Sequence, residues 1–208
     1  MEGQDREGKK IMAYKIFDLY SAEEIAVNDF GLKRVISVEP KLVLKSRGRM
    51  NKKYGKTKMN VVERLINIMG VPGHRGKKHK IMTSHASGKY SRNAKIIIDA
   101  FHIIQHKINQ NPVQVLVKAI ENAAPRDGTT TIEYGGAKYP QAVDFSPIKR
   151  IALALRNMAH GAQDKAFGKK TPMSQALANE LILASQNSND STGIQKKNEM
   201  EKQADSAR

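Results

Sequence analysis

Apolar residues recur at helical spacing in five stretches of this chain, and the residues that bracket each stretch supply a start and a stop. Asn60 precedes Val61, Val62, Leu65, Ile66, Ile68 and Met69, and Gly70 ends that run. Ser91 precedes the clearest stripe, Ala94, Ile97, Ile98, Phe101, Ile104 and Ile108, which predicts the longest helix over 92–108. Pro112 stands where a first helical residue should, Val113, Leu116, Val117 and Ile120 follow, and Pro125 closes a helix predicted over 112–123. Ser146-Pro147 restarts the pattern through Ile148, Ile151, Ala152, Leu155 and Ala159, to about Gly161. Thr171-Pro172 opens the fifth, with Met173, Ala176, Leu177, Leu181 and Ala184. Met69, Met158 and Met173 fall at helical spacing and read as core fillers.

Between the third and fourth helices the pattern changes. Residues 128–145 are rich in Thr and Tyr around Gly135-Gly136, a dipeptide suited to a tight hairpin turn. Pro140 in the second strand points to an exposed edge rather than a sheet interior. A two-stranded hairpin without a partner sheet buries little and is marginal alone, so its use lies in what it touches outside the domain. It reads as an arm, offering Thr129, Thr131, Glu133, Tyr134, Lys138 and Tyr139.

The ends are less regular. Residues 1 to about 12 are polar and predict a loose terminus, residues 12–19 a short strand or helical turn, and Ser21-Ala-Glu-Glu a helix start. Residues 33–44 alternate apolar and polar positions until Glu39-Pro40, which predicts an extended piece packed on the body. Residues 163–170 read as a polar connection and 186–193 as a polar linker. The charged, weakly amphipathic 196–208 is expected to become helical only when bound. No fixed-period repeat occurs.

Charge decides what these elements serve. The 208 residues carry a net +16, with 6 basic and 8 acidic residues over 1–40, 16 and 1 over 41–95, and 14 and 11 over 96–208. The middle segment therefore holds +15 of the excess. A glycine-broken block of this density calls for a polyanion, and nucleic acid is the commonest; a membrane surface would ask for an amphipathic basic helix. Cysteine is absent, which excludes disulfides and thiolate chemistry. No apolar run approaches the roughly 20 residues of a membrane span, and the charged first ten residues do not suit a secretory signal, so a cytosolic protein is expected.

Candidate catalytic groupings fail on chemistry. Asp99, His102 and His106 could share a helix face as metal ligands do, but Ile103 stands where a zincin has its glutamate. Gly70 to Lys78 has a residue too many for a phosphate loop, and Lys78 occupies the magnesium-binding Ser/Thr position. No Ser/His/Asp grouping and no carboxylate pair in an apolar setting can be assembled. What remains suits RNA: dense cations for phosphates, and Tyr54, Tyr90, Tyr134 and Tyr139 for stacking.

The run from Gly135 to Asn157, GGAKYPQAVDFSPIKRIALALRN, resembles the hairpin and following helix of the ribosomal protein S-seven family. Ile120, Asn122 and Pro125 match the family's preceding helix end. Gly135, Gly136, Ala137, Tyr139, Val143, Pro147, Arg150, Ala152, Leu153, Ala154 and Arg156 fall on its pattern without a gap. Pro140 stands two residues before the bacterial hairpin proline, and Asn157 replaces a usual aromatic. The resemblance runs from about Val35 to the C-terminus, whose tail looks like the archaeal and eukaryotic branch.

Pattern and resemblance together give a mainly α fold: one domain of five or six helices with one protruding β-hairpin and an extended basic N-terminal segment. The expected divisions are an extension over 1–44, a helical RNA-binding domain over 45–185 with the hairpin at about 128–145, and a charged tail over 186–208. The expected phosphate contacts are Lys45, Arg47, Arg49, Lys52, Lys53, Lys56 and Lys58, with Tyr54 among them, then Arg75, Lys77 and Lys78. Arg92, Lys95, Lys149, Arg150 and Arg156 would add a helix-borne patch. The resemblance implies binding to the 3′ major domain of small-subunit ribosomal RNA, beside neighbouring head and platform proteins. It places Tyr134, Gly135, Gly136, Lys138 and Tyr139 near exit-site tRNA and mRNA. No enzyme activity, cofactor or small-molecule substrate is implied. The alternative is a free RNA-binding translational regulator or RNA chaperone using the same patch.

Overall fold

The computed structural model describes residues 15–23, 25–41, 43–46, 48, 50–72 and 88–208. The α-helices are α1 (Phe30–Lys33), α2 (Val61–Ile68), α3 (Tyr90–Ile108), α4 (Pro112–Ala123), α5 (Pro147–Ala166), α6 (Met173–Ser185) and α7 (Thr192–Asp205). A 3-10 turn covers Gly55–Lys58, and strands β1 (Asp127–Tyr134) and β2 (Ala137–Asp144) form the hairpin. The core lies where α3, α4 and α5 pack around α6, with α2 against α3 and α5. Phe101, Leu116, Ile120, Ile151, Leu155 and Leu177 are fully buried there, joined by Ile16 and Leu32 from the N-terminal region. Such burial is worth about 1.5–3 kcal/mol per large side chain, which is the main force holding the helices together.

Helix boundaries follow local chemistry. Asn111 accepts from the Val113 N–H and Pro112 follows it, so α4 spans the predicted residues. Asn60 caps α2 through the Val62 N–H. α3 begins at Tyr90 rather than Arg92, with Lys89 and not Ser91 at the cap. It is not the longest helix: its 19 residues are one fewer than the 20 of α5, which runs on through the predicted connection to Ala166. The reason is burial, since Ala162 and Gln163 still face the core.

α7 is the larger departure, because the expected binding-dependent tail is a docked helix. Its anchors are few, namely Gly193, Ile194 and Ala204, but Glu180 of α6 supplies the rest. That carboxylate, fully buried, takes a hydrogen bond from Ser191 Oγ at 2.8 Å and one from the Gly193 N–H at 3.0 Å, and pairs with Lys165 Nζ at 2.6 Å. It thus satisfies donors at the first turn of α7 and complements the positive end of the helix dipole. A β-carbon on Gly161 would sit 2.5 Å from Thr192 Cβ, so only glycine lets α5 and α7 cross this closely.

The N-terminal segment is a strap rather than the predicted helix at Ser21. One polar stripe on α4 binds its backbone. Asn111 Nδ2 donates to the Ser21 carbonyl, Gln114 both accepts from and donates to the Ala26 main chain, and Glu121 accepts from the Asn28 and Asp29 N–H groups. Main-chain groups that find partners in side chains need no helix of their own. Further on, Ser37 bridges Asn60 in parallel, and Ile36 and Leu44 are buried, in keeping with the predicted extended piece.

Candidate nucleic-acid interface

Two groups of cations surround the core. The first is the basic segment, where Lys45, Lys52, Lys53, Lys56 and Lys58 are all exposed and Tyr54 is 65% exposed. Tyr54 adopts a left-handed backbone (φ 60°), which turns the chain into the 3-10 turn, and Lys53 Nζ lies 5.4 Å from its ring. Arg47, Arg49, Arg75, Lys77 and Lys78 lie outside the described residues.

Tyr90 ties this segment to α3. Its hydroxyl donates to the Leu44 carbonyl, and Lys45 Nζ sits 5.2 Å from its ring. Burial, helped by the Glu63 charge, pushes the Tyr90 hydroxyl up to about 12. This corrects its reading as a stacking residue: the ring is packed and its hydroxyl occupied. The link carries exposed Arg92 and Lys95, on the first turns of α3, to the side of the basic segment.

The second group is on α5. Lys149 and Arg156 are exposed, seven residues apart and hence roughly 10 Å apart along the axis. Lys149 Nζ lies 4.0 Å from the centre of the Phe145 ring, at the root of the arm. Arg150 does not share their position. Its side chain is only 11% exposed, Nη2 pairs with Asp29 Oδ2 at 2.9 Å, and Nε donates to the Pro125 carbonyl at 3.2 Å. Burial raises the Asp29 carboxyl, but the hydrogen bond from Arg150, the Gly31 N–H and the Arg150 charge outweigh it and hold the group below its ordinary value. As a phosphate contact Arg150 is therefore corrected: its guanidinium is spent on joining the strap to the arm's root.

Arg64 shows the same diversion. It belongs to the basic stretch in sequence, but faces inward on α2, is 6% exposed, and has its basicity lowered by burial. Its Nη1 and the Asn157 Nδ2 have no hydrogen-bond partner among the described residues. Sequence reasoning left other exposed cations aside, among them Lys169 and Lys170 after α5 and Arg126 before β1; local charge was the only signal for them.

In the arm, Gly135 (φ 58°) and Gly136 (φ 82°) both take the left-handed backbone that a two-residue hairpin turn of this hand needs. Every residue from Thr129 to Gln141 is exposed. Directly opposed residues share a face, and Ile132 opposes Tyr139 while Tyr134 opposes Ala137. One face is therefore aromatic and apolar, with Tyr134 81% and Tyr139 60% exposed. Glu133 opposes Lys138 on the other face, so Lys138 is separated from the tyrosines with which the sequence grouped it.

His102 meets the Tyr20 hydroxyl at 3.3 Å, and no group of three or more His, Asp and Glu side chains suited to a metal occurs among the described residues. An open cleft bounded by Lys41, Lys45, Met50 and Glu63 has its one carboxylate engaged by the Ser46 N–H at 2.6 Å. No described helix is long and apolar enough to cross a membrane. A packed helical core that displays cations and an uncovered arm defines a scaffold protein for a macromolecular partner.

Comparison narrows that class. The family model of ribosomal protein S7p/S5e matches residues 32–208, and the chain belongs to that family. It is 48% identical over 198 residues to small ribosomal subunit protein uS7 of Nanoarchaeum equitans, covering 95% of this chain and 100% of that protein. The proteins of the same name from Methanosphaera stadtmanae and Thermoplasma volcanium are 41% and 43% identical, over 94% and 93% of this chain and 100% of each relative.

Proposed function

We propose that this chain binds the 3′ major domain of small-subunit ribosomal RNA, nucleates assembly of the subunit head, and holds its arm near the exit-site tRNA and mRNA path. It is a structural, non-enzymatic constituent of the small ribosomal subunit and works there in the cytoplasm, a reading supported by family membership and full-length likeness to uS7 proteins. The observation that carries the RNA assignment is the charge distribution: 16 basic residues against 1 acidic over 41–95, with every described lysine from Lys45 to Lys58 exposed.

The mechanism is positional. Lysines and arginines neutralise phosphates where RNA helices converge, and the core fixes the distances between Lys45 beside Tyr90, Arg92 and Lys95 on α3, and Lys149 and Arg156 on α5. The tyrosine face of the arm offers stacking surface to unpaired bases, while neighbouring head and platform proteins complete its surroundings.

The test is binding of the isolated ribosomal RNA domain as a function of salt. Neutralising Lys45, Lys52, Lys53 and Lys56 together should lower the slope of log K against log salt by about one per lost contact. An unchanged slope would move the footprint off this segment. Sedimentation separates this reading from a free regulator, since a ribosomal protein tracks the small subunit in fixed proportion.

A further inference from the structure

The arm has little to hold it upright. Its outer residues touch no core, and the helix that packs against both of its strands is α7. At that contact Glu201 Oε1 accepts from the Arg126 N–H at 2.9 Å, and Arg208 pairs with Asp127, the first residue of β1. The other end of α7 is fixed differently. Ser191 Oγ caps it through the Ile194 N–H, Glu180 accepts from both Ser191 and Gly193, and Gly193 lies so close to α5 that a β-carbon there would sit 2.9 Å from Met158 Cγ. Between these two ends the side chains are mostly solvated: Gln195, Lys196, Asn198, Glu199, Lys202 and Gln203 are exposed.

A helix pinned at both ends and sparsely buried between them contributes direction more than core. We propose that α7 is a strut. Seated on the core at Glu180 and joined to the arm at Arg126 and Asp127, it sets the direction in which the hairpin points, and loosening either end lets the arm swing while the core stays folded. The inference concerns the free protein and goes beyond the RNA reading. If that reading failed, the strut would still hold or fall on its own measurement.

Geometry makes the swing measurable. Glu133 lies six residues beyond Asp127, roughly 20 Å out at about 3.3 Å per residue, so a rotation of about 15° at the root moves it by about 5 Å. The chain has no cysteine, so Lys118→Cys on the exposed side of α4 and Glu133→Cys on the arm take spin labels without background. The distance distribution between them is read in the full chain. With α7 intact it should be narrow. Glu201→Ala with Arg208→Ala should broaden or shift it by about 5 Å, on the lever arm just given. Ser191→Ala, at the far end, should broaden it in the same sense with helical ellipticity kept. Lys196→Ala with Glu199→Ala, which removes an exposed pair midway, should leave it unchanged.

An unchanged distribution in the Glu201/Arg208 variant overturns the proposal. So does broadening by that variant but not by Ser191→Ala, which would make the clamp local to the arm's root. If Ser191→Ala destroys cooperative unfolding along with arm order, α7 is part of the core and the strut is again refuted.

Discussion

Arg150→Ala and Arg156→Ala should separate cleanly, although both residues fall on the same family pattern and six positions apart on one helix. Arg150 donates to a carboxylate at 2.9 Å and a carbonyl at 3.2 Å from a side chain 11% exposed. A hydrogen bond to a charged group contributes about 1.5–3 kcal/mol and a neutral one about 0.5–1.5, so truncation should cost about 2–4 kcal/mol. Asp29 is 27% exposed and rehydrates in part, which keeps the loss from the upper extreme of a buried pair. At roughly 2–4 °C per kcal/mol for a chain of this size, thermal unfolding should fall by roughly 5–15 °C.

Acid adds a second readout of the same pair. Because Asp29 is held below its ordinary value, its stabilisation is present above about pH 4 and is lost as pH falls through the lowered value. Arg150→Ala should flatten that limb. Arg156→Ala, on an exposed side chain, should change stability by less than about 0.5 kcal/mol and lower the salt slope of RNA binding by about one. Calorimetry across pH, with RNA titrations at several salt concentrations, reads all of this. Unfolding of Arg150→Ala within about 1 °C of the parent, with weakened RNA binding, would refute the assignment of its guanidinium to Asp29 and Pro125.

Three further outcomes follow from the packing. Replacing residues 130–141 by a short glycine link should alter unfolding free energy by less than about 1 kcal/mol in denaturant titrations, because every residue removed is exposed. Tyr90→Phe should cost about 0.5–1.5 kcal/mol for the lost bond to Leu44 and remove the most alkaline step from an absorbance titration. Since Tyr90 is raised to about 12 in the fold, its contribution is full below about pH 10 and disappears as pH rises through 12. Gly161→Ala should destabilise by about 1–3 kcal/mol or more, measured the same way, since its new methyl meets Thr192 at 2.5 Å.

Local signals carried most of the architecture. Asn111-Pro112 and Pro125 delimit α4 by capping and steric exclusion alone, and Gly135-Gly136 defines its turn because two successive residues there have positive φ. What sequence could not display is partnership across distance. Asp29 lies 121 residues from Arg150, so nothing near Arg150 marks it as occupied. Leu44 and Tyr90 are 46 apart, and an exposed tyrosine and a packed one look alike in sequence. Arg64 belongs to the same basic stretch as Lys52, Lys53, Lys56 and Lys58, which face solvent, but it lies on the inward face of α2. The tail misled for a related reason: its apolar positions are too few to form a stripe, and the buried carboxylate that seats it comes from α6.

The polar stripe on α4 has a consequence for how the chain is made. Asn111, Gln114 and Glu121 grip main-chain groups of the strap, so they demand a path of the backbone and not particular side chains there. Those grips join residues 88 to 93 apart. A strap that leaves the synthesising ribosome ahead of its helix must therefore wait for it, for roughly 5–20 s at usual rates of about 5–20 residues per second. Arg150 emerges later still and closes the loop at Asp29. The strap is thus made well before both the helix that holds it and the arginine that closes it.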